Sequence, residues 1–587
     1  MDYQPIADDA LLVLAHVLQA SQGLQALPAF ADADAALMQQ VLDEAGKFVG
    51  EVIAPLNRSG DEIGAQWNSG AVTMPPGFRE AYQQFWQAGW PALSAATEDG
   101  GQGLPAVLEC VLYEWMSAAN HGLTMAPGLL HGAYECLKHH GSDELKARYL
   151  SKIATGEWLA TMCLTEPHAG SDLGLARTRA TPQADGSYLL SGTKIFISGG
   201  EHDLTDNIVH LVLARLPDAP PGPKGLSLFL VPKFYEDGQR SKVVCDRIEE
   251  KMGLHGSPTC VMRFDDARAW IVGEPGKGLN AMFVMMNAAR LHVALQGIGL
   301  LDAAWQKADA YAKERRQMRA PGSAARTGDA DLIGAHPAVQ RILDTQRAWV
   351  DCGRVIAYRT GIELDLARHH PDASRREQAQ RWCALVTPVL KAAWTDQAFH
   401  GASDCLQVFG GHGYVREWGI EQIVRDARVA MIYEGTNEIQ AIDLLVRKTL
   451  PDGAAGFNAW LDELAAGLAP HAGASDHALA LTQTTQSLIA QLRGAATQIR
   501  QVQAHDAAVP YWIAGDFLRL TALALMAWAG VQIARGADRH EPLRGERWQR
   551  PLAALCDWVL PEAAWRAQMI SGRCAVNGQL QAASATA

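Results

Sequence analysis

The sequence predicts a mostly helical protein with a β domain in its middle, and three observations support this fold class. Apolar residues recur at helical spacing from about residue 35 to 156, for example in AALMQQVLDEAGKFVGEVIAPL. Short β-branched runs such as GTKIFISGG and NIVHLVLARL follow between about 160 and 275. Helical periodicity then returns in long segments that can pack as an antiparallel bundle, at 279 to about 318, 337 to about 368 and 375 to about 408.

Each element has a local signal. We expect the first block to be all-helical, interrupted by the loop ATEDGGQGLP. ADGS at 184–187 is a turn signal between two strands of the β domain. Beyond TLPDGAAG at 449–456 a further helical region begins, with an apolar stripe formed by Leu481, Leu488, Leu492, Ala496 and Ile499. The predicted domains are an N-terminal extension (1–36), a helical domain (37–160), a β domain (161–278), a helical bundle domain (279–452) and an additional helical domain (453–587).

Composition and charge narrow the classes of function. The chain has 587 residues and a formal net charge of -13, which gives no electrostatic attraction toward nucleic acid or an anionic membrane. Its ten cysteines show neither CxxC nor zinc-type spacing, so we expect reduced, mostly buried thiols and no bound metal. The N-terminus lacks a positive region before its apolar stretch, which argues against a secretory signal. The longest apolar window, 520–534, is shorter than the roughly 18 residues of a membrane span, so a buried helix and a cytoplasmic protein are predicted.

The stretch RDARVAMIYEGTNEIQ at 425–440 places Glu434 in an unusual setting. It follows Ala-Met-Ile-Tyr and precedes a new helix, for which Thr436 is a good N-cap and Glu438 lies in the first turn. Free backbone N–H groups at a helix start favour an anion. A carboxylate in a dry pocket lined by tyrosine and isoleucine has a raised pKa, which makes it a stronger base toward carbon acids. The sequence therefore predicts proton abstraction next to a carbonyl, with an ordinary surface glutamate as the alternative.

Such a reaction needs a group that stabilises the enolate and, if oxidation follows, an electron acceptor. MCLTEPHAGSD at 162–172 offers Thr165, Ser171 and nearby backbone groups, or is a plain turn. QVFGGHGY at 407–414 lets a backbone approach a phosphate, or simply ends a helix. KERRQMR at 313–319 is interpreted as a basic helix end. The chain has no G-x-S-x-G elbow, P-loop or dinucleotide GxGxxG, so the serine hydrolase, NTPase and Rossmann classes lose support.

Five motifs occur in a fixed order: MCLTEPHAGSD, GTKIFISGG, ERRQM, QVFGGHGY and RDARVAMIYEGTNEIQ. Together they resemble the acyl-CoA dehydrogenase flavoprotein family, over about residues 37 to 450. The N-terminal extension, the additional helical domain and EEKMGLHGSPTC at 249–260 resemble a long branch that includes large bacterial fatty acyl-CoA dehydrogenases and 3-methylmercaptopropionyl-CoA dehydrogenases. The resemblance implies a barrel-like β domain, a four-helix bundle, FAD as cofactor and conversion of a saturated acyl-CoA to the trans-2-enoyl-CoA.

The resemblance also implies roles for individual residues. Glu434 is the base that removes the α proton of the thioester while the flavin accepts the β hydrogen as hydride. The thioester oxygen is held by the Glu434 backbone N–H and a ribityl hydroxyl of FAD. Implied contacts to FAD come from Met162, Leu164, Thr165, Ser171, Phe196, Ser198, Arg315, Gln407, Gly411, Thr436 and Glu438. Implied contacts to the acyl-CoA come from Ser171, Arg290, Tyr433 and Gly435.

Because the family's FAD site is shared between subunits, the resemblance further implies a homodimer or larger assembly, with electron-transferring flavoprotein as the electron acceptor. Three alternatives stay open at this point. The enzyme is specifically a 3-methylmercaptopropionyl-CoA dehydrogenase, or it is an acyl-CoA oxidase that passes electrons to dioxygen. A DNA-binding flavoprotein of the alkylation response is the alternative from another class. Against it, residues 455–587 carry ten Asp+Glu and ten Lys+Arg, with a mild basic cluster at Arg535, Arg539, Arg544, Arg547 and Arg550.

Overall fold

The computed structural model describes residues 2–322, 330–468 and 475–585, with side chains as far as residue 575. The chain divides into two compact units. The sheet unit comprises Lys47–His292, and the bundle unit comprises Tyr3–Gly46 together with Val293–Ala587.

Three helices come first in the chain: α1 (Ala7–Leu12), α2 (Ala20–Gln25) and α3 (Ala35–Phe48). The segment before α2 is fastened within the bundle unit by polar contacts. The Tyr3 hydroxyl donates to Asp302 Oδ2 (3.0 Å), and Asp9 on α1 accepts a hydrogen bond from Arg347. The N-terminal extension is therefore an ordered part of the bundle unit.

The first part of the sheet unit is helical except for one hairpin. Its helices are α4 (Asn57–Ile63), α5 (Phe78–Gln87), α6 (Ala106–Ala119), α7 (His121–Thr124), α8 (Leu130–His140), α9 (Asp143–Leu145) and α10 (Ser151–Ala154). Two short strands, β1 (Gln66–Asn68) and β2 (Ala71–Thr73), pair antiparallel. Between them Ser69 and Gly70 have φ angles of 51° and 93°. The prediction of an all-helical block is wrong here, because two left-handed residues form the turn that suits antiparallel strands.

Seven strands form the second part of the sheet unit. They are β3 (Leu159–Cys163), β4 (Arg179–Pro182), β5 (Tyr188–Ser198), β6 (Ile208–Arg215), β7 (Leu226–Pro232), β8 (Val243–Ile248) and β9 (Thr259–Val272). The pairing β6–β4–β5–β9–β7 closes because β7 also pairs with β6, while β3 joins β6 and β8 joins β9. A closed ring of strands is a barrel, as the resemblance implied. The ADGS turn is confirmed, with the Gln183 N–H donating to Ser187 O (2.8 Å) between β4 and β5.

Three long helices build the bundle: α11 (Gly278–Ala312), α12 (Pro337–His369) and α13 (Ala373–Val408). They confirm the predicted segments, except that α11 ends at Ala312 instead of near 318. KERRQMR is therefore not a helix end. Arg316 forms an isolated bridge with Leu332, and Met318 has a φ of 58°, a left-handed conformation that cannot continue a helix. Two shorter helices follow, α14 (Ile420–Arg428) and α15 (Asn437–Ile442).

The additional C-terminal region is helical, as predicted. Its helices are α16 (Ala455–Ala466), α17 (Asp476–Gln503), α18 (Val509–Arg539), α19 (Glu546–Ala554) and α20 (Glu562–Ala585). The predicted apolar stripe lies on α17, and each of its five residues is at most 3% exposed. All ten cysteines are free and eight are buried, which confirms the expectation for the thiols.

Within the described residues, α11 and α18 are long and apolar enough to cross a membrane by length and composition. Their apolar windows have mean hydropathies of 1.2 and 1.5 and are 78% and 89% buried inside the protein. The estimate that the apolar window at 520–534 is too short for a membrane span is wrong, because α18 contains an apolar window of 18 residues. The expectation of a buried helix is confirmed, and burial accounts for the apolar composition.

Candidate active site

Glu434 lies in a loop of the bundle unit, between the turn Val429–Met431 and helix α15. Thr436 caps α15 as predicted, since its hydroxyl accepts a hydrogen bond from the Ile439 N–H (3.4 Å). The side chain of Glu434 is half-buried, and Ile432 is 51% exposed. Among the described residues, Ile432 does not form the expected apolar wall, because about half of its surface is exposed to solvent.

The backbone of this loop is strained. Glu434 has a φ of 54°, and Gly435 follows with a φ of 84°. A left-handed conformation costs a non-glycine residue roughly 1–2 kcal/mol, and such residues cluster at functional sites. The strain persists only where the surroundings hold the backbone in place.

Two side chains hold it. Lys391 on α13 is fully buried, and its Nζ donates to Gly435 O (2.9 Å) and Asn437 Oδ1 (3.0 Å). Gln440 on α15 donates from Nε2 to Glu434 O (3.1 Å) and Gly435 O (3.3 Å). The carbonyl groups of the loop are thus fixed from two helices, and the direction of the Glu434 side chain is fixed with them.

Tyr433, the residue before Glu434, makes a polar contact with α11. Its hydroxyl donates to Gln296 Oε1 on α11. Burial and the nearby charge of Glu434 raise the pKa of Tyr433. Tyr433 therefore keeps its phenol proton at neutral pH.

A second group of predicted residues lies in the sheet unit, where β3 ends beside a bulge in β5. Met162 is buried within β3, and Leu164 and Thr165 follow its end. Thr165 O accepts from the Ile195 N–H (2.9 Å). The pairing of β5 with β9 gains one extra residue between Lys194 and Ile197, which is a β-bulge. The structure therefore brings the end of β3 and the bulge of β5 together.

The bulge turns Phe196 outward. Phe196 has a φ of 59° and is 60% exposed, which is unusual for an aromatic side chain within a strand. Ser198 closes the strand and is half-buried. An exposed ring on a strand bulge fits a flat, partly apolar ligand such as a flavin ring.

A buried ion pair that the sequence reasoning missed supports this region. Glu166 accepts hydrogen bonds from Lys194 Nζ (2.9 Å), Thr178 Oγ1 (2.7 Å) and the Arg177 N–H (2.7 Å). Burial alone would raise the pKa of Glu166, but the charge of Lys194 and these hydrogen bonds lower it to about 2. Lys194 also donates to Leu164 O (3.0 Å), so one ammonium joins the loop after β3 to the bulge.

The signal that could have found the pair is a charged side chain inside each of two motifs, the Glu of LTEP and the Lys of GTKIF. Ser171 lies further along the same loop and is exposed. Beside it, a Cβ added at Gly170 would meet no atom within 4 Å, which leaves room for a ligand to approach the backbone.

A third group lies in the bundle unit around Tyr311, near the end of α11. Its ring stacks on Phe409 (centroids 4.3 Å apart), and its hydroxyl bonds to His412 Nδ1 (2.9 Å). Gln407 and Gly411 lie on either side of this contact, and Arg315 follows Tyr311 by one turn, its N–H donating to Tyr311 O (2.9 Å). Arg315, Gln407 and Gly411 are all exposed.

This third group fits a phosphate-bearing ligand. A guanidinium, an amide and an open glycine backbone suit an anionic oxygen, and a Cβ at Gly411 would meet no atom within 4 Å. Two further predicted residues lie on α15 and α11. Glu438 is exposed on the first turn of α15. Arg290 is buried on α11, where its Nη1 donates to Asn287 Oδ1 (3.3 Å).

Helices, a strand barrel and a helical bundle in this order, together with these three groups of residues, define a flavin-dependent acyl-CoA dehydrogenase architecture. Family models match the acyl-CoA dehydrogenase N-terminal domain at residues 37–157, the middle domain at 161–267 and the C-terminal domain at 276–448. The chain belongs to the acyl-CoA dehydrogenase family. It is an oxidoreductase that uses FAD to dehydrogenate acyl-CoA thioesters.

Individual relatives place the chain more closely. It is 44% identical over 471 residues to the 3-methylmercaptopropionyl-CoA dehydrogenase of Ruegeria pomeroyi, covering 79% of each chain. It is 35% identical over 442 residues to a butyryl-CoA dehydrogenase of Syntrophomonas wolfei, covering 72% of each. Its fold matches the acyl-CoA dehydrogenase complexed with FAD from Bacillus anthracis, with a TM-score of 0.75, 21% identity and coverage of 91% and 88%.

Proposed function

We propose that this enzyme converts a short acyl-CoA, 3-methylmercaptopropionyl-CoA, to its trans-2-enoyl product, with Glu434 as the base that removes the α proton. The observation that carries the role of Glu434 is the left-handed backbone of its loop, held by Lys391 and Gln440. A left-handed backbone whose carbonyl groups are held by side chains from two helices is expected where the direction of the attached carboxylate matters for chemistry.

Different residues of the chain have different roles in the proposed reaction. Glu434 takes the α proton, and its backbone N–H would hold the thioester oxygen together with a ribityl hydroxyl of FAD. Tyr433 stays protonated, and its hydroxyl donates to Gln296. FAD, when bound, supplies the acceptor for two electrons and the β hydrogen. Ser171, Arg290, Tyr433 and Gly435 are assigned to the acyl-CoA substrate.

The FAD contacts follow the three groups described above. Met162, Leu164, Thr165, Phe196 and Ser198 would hold the flavin ring. Arg315, Gln407, Gly411, Ser171, Thr436 and Glu438 would hold the phosphates and the adenosine end. The exposed Phe196 and the exposed Arg315 support this division, because each presents a ring or a cation that the fold itself leaves uncovered.

The substrate proposal rests on the 44% identity to a 3-methylmercaptopropionyl-CoA dehydrogenase, against 35% to a butyryl-CoA dehydrogenase. The test is a panel of acyl-CoA thioesters scored by anaerobic bleaching of the flavin. Pentanoyl-CoA is the matched control, because it differs from 3-methylmercaptopropionyl-CoA by one methylene in place of sulfur. We expect the sulfur compound to bleach fastest; faster bleaching with pentanoyl-CoA or butyryl-CoA would reassign the enzyme to straight chains.

Glu434→Gln tests the catalytic assignment. The variant should keep its yellow, FAD-bound colour and bleach at least about 10²-fold more slowly, a typical contribution of a general base. Glu377→Gln, an exposed glutamate on α13, is the control and should bleach like the unmodified enzyme. Normal bleaching by Glu434→Gln would remove Glu434 from the mechanism.

We further propose a cytoplasmic homodimer or larger assembly that passes its electrons to electron-transferring flavoprotein. Light scattering tests the assembly. Adding oxygen after anaerobic reduction by substrate tests the electron acceptor. The flavin of an oxidase would be reoxidised by oxygen and turn yellow again on the timescale of catalysis. The flavin of a dehydrogenase would stay bleached until electron-transferring flavoprotein is added.

The DNA-binding alternative is weakened by the contacts of the arginine cluster. Arg547 donates to Asp9 and Asp351, and Arg550 donates to Asp344. Arg544 and Arg535 donate to backbone carbonyls of their own region. These guanidiniums are already engaged and offer little to a phosphate backbone.

A further inference from the structure

The loop after β3 comprises residues 164–178 and carries the exposed Ser171 at its tip. Lys194 and Glu166 hold the start of this loop. A Cβ added at Gly170 would meet no atom within 4 Å, so the backbone of the tip is open to a ligand. A tip of this kind places a ligand accurately only if the rest of the loop is held as well.

Arg215, the last residue of β6, holds the return segment of the loop, residues 174–178. Its backbone N–H donates to Thr178 O (2.8 Å), and its Nε donates to Ala176 O (2.7 Å). Its Nη2 donates to Gly174 O. One residue therefore engages three carbonyl groups of the return segment.

The other edge of the same guanidinium holds a second loop, residues 216–225 between β6 and β7. Nη1 donates to Pro220 O (3.0 Å), and Nη2 donates to Gly222 O (3.0 Å). The two loops also pack directly on each other, since a Cβ added at Gly174 would lie 3.0 Å from Pro223 Cδ. The side chain thus joins four carbonyl oxygens of two loops. The planar fork of an arginine can do this, because its five N–H donors point in fixed directions.

Two contacts within the loop after β3 connect its return segment to its tip. His168 Nε2 donates to Leu175 O (3.1 Å). Asp172 Oδ1 accepts from the Gly174 N–H (3.0 Å). Because His168 and Asp172 flank the tip, the position of the return segment determines the position of the tip.

We infer that Arg215 is a positioning residue for a phosphate-bearing ligand: its guanidinium holds the loop after β3 against residues 216–225 and so places the Ser171 hydroxyl and the open backbone of Gly170. A hydroxyl and backbone N–H groups suit an anionic oxygen, which FAD and CoA both carry as phosphate. The inference rests on the proposed assignment of Ser171 to FAD and the acyl-CoA.

Arg215→Lys tests the inference, because it keeps the charge and removes the fork. Single-turnover bleaching of the FAD-loaded enzyme at several acyl-CoA concentrations gives the apparent Kd of the acyl-CoA. Release of FAD after dilution, followed by flavin fluorescence, gives the Kd of FAD. At least one of the two Kd values should rise at least about tenfold, which is the factor of one hydrogen bond to a charged group. The limiting bleaching rate constant should stay within about threefold, since ligand binding and not proton abstraction is affected.

The same acyl group on N-acetylcysteamine separates a phosphate contact from an acyl contact, because this thioester carries no phosphate. Its apparent Kd should be the same for Arg215→Lys and the unmodified enzyme. An equal loss of affinity for the two thioesters would overturn the proposal. Arg268→Lys is the matched control on β9: it alters an exposed pair with Asp185 (2.9 Å) and should change none of these values.

A double-mutant cycle with Ser171→Ala distinguishes positioning from general destabilisation. If Arg215 acts through the loop after β3, Arg215→Lys should cost less affinity in Ser171→Ala than in the unmodified enzyme, and equal losses would refute the inference. Gly174→Ala takes the place of Arg215→Lys in the cycle if that variant does not fold. Its Cβ would lie 3.0 Å from Pro223 Cδ and presses the two loops apart.

The cycle also separates this inference from the assignment on which it rests. An unchanged affinity of Ser171→Ala for both FAD and the acyl-CoA would refute the role of Ser171 and the inference with it. A loss for Ser171→Ala without a loss for Arg215→Lys would refute the inference alone.

Discussion

Replacing Lys391 by methionine tests whether a buried ammonium positions the catalytic loop. Lys391 is fully buried and donates to Gly435 O and Asn437 Oδ1, on either side of the α15 N-cap. Methionine fills similar space and donates no hydrogen bond. Because Lys391 bonds to the carbonyl of Gly435, the residue after Glu434, its effect should reach the chemistry through the backbone of this loop.

The magnitude follows from the contacts that are lost. Hydrogen bonds to charged groups contribute about 1.5–3 kcal/mol each, and Lys391 makes two to this loop. Both acceptors keep a second donor, since Gly435 O accepts from Gln440 and Asn437 Oδ1 accepts from Thr395. The cost therefore lies at the low end, about 3 kcal/mol in total.

Two further free-energy contributions affect the bleaching rate constant of Lys391→Met. Removing a buried charge relieves its desolvation and offsets part of the loss. Release of Glu434 from the left-handed region recovers roughly 1–2 kcal/mol and favours a displaced loop. Since each 1.36 kcal/mol corresponds to a tenfold change, we expect the bleaching rate constant of Lys391→Met to fall about 10- to 100-fold.

Single-turnover bleaching at several acyl-CoA concentrations separates the rate constant from the substrate affinity. A positioning role predicts a lower rate constant with an apparent affinity changed less than threefold and a normal FAD content. The control is Lys448→Met, whose ammonium donates to Ala384 O (2.8 Å) and pairs with Asp443 (2.9 Å), on the segment after α15. A Lys391→Met rate within threefold of the unmodified enzyme would refute the reasoning.

Two further predictions concern buried ion pairs. Glu166→Gln leaves the buried Lys194 ammonium without its carboxylate partner, so the free energy of unfolding should fall by about 3–5 kcal/mol. Urea-induced loss of FAD measures this change. Adding Lys194→Met should restore at least half of the lost free energy of unfolding. Because the pKa of Glu166 is lowered to about 2, its stabilisation is present above about pH 4.5 and is lost as the pH falls toward 2; a flat urea midpoint over that range would contradict this. Arg547→Met removes the contacts to Asp9 and Asp351 and should speed hydrogen exchange in α1 at least tenfold, whereas Arg493→Met, from an exposed pair, should not.

Local signals in the sequence predicted much of the site. Thr436 was expected to cap a helix after Glu434, and the structure confirms it because capping depends on residues three apart. Helical periodicity also predicted the three long bundle helices, since each buries a repeating face. The end of α11 was missed: the helix ends at Ala312, and the left-handed Met318 six residues later shows that the chain beyond it is not helical.

Long-range pairs were beyond sequence reasoning. Lys391 lies 44 residues before Gly435 in the chain, and Lys194 lies 28 residues after Glu166. The two partners of each pair lie in different elements or loops, so no periodicity within one helix or strand marks them. The outward Phe196 is a similar case, because a one-residue bulge reverses the face that strand alternation assigns to a side chain.

The two missed ammonium groups do the same physical task in different units. Each is buried, and each donates to the carbonyl of a loop beside a left-handed residue: Lys391 to Gly435 next to Glu434, and Lys194 to Leu164 beside the bulge of Phe196. A buried ammonium without acceptors is costly, so its need for oxygen atoms fixes the loop as firmly as the loop satisfies the charge. Substitution of Lys391 by a neutral residue should therefore loosen the loop of Glu434 and slow proton abstraction while FAD stays bound. Substitution of Lys194 should loosen the loop after β3 and weaken FAD binding, with the loop of Glu434 intact.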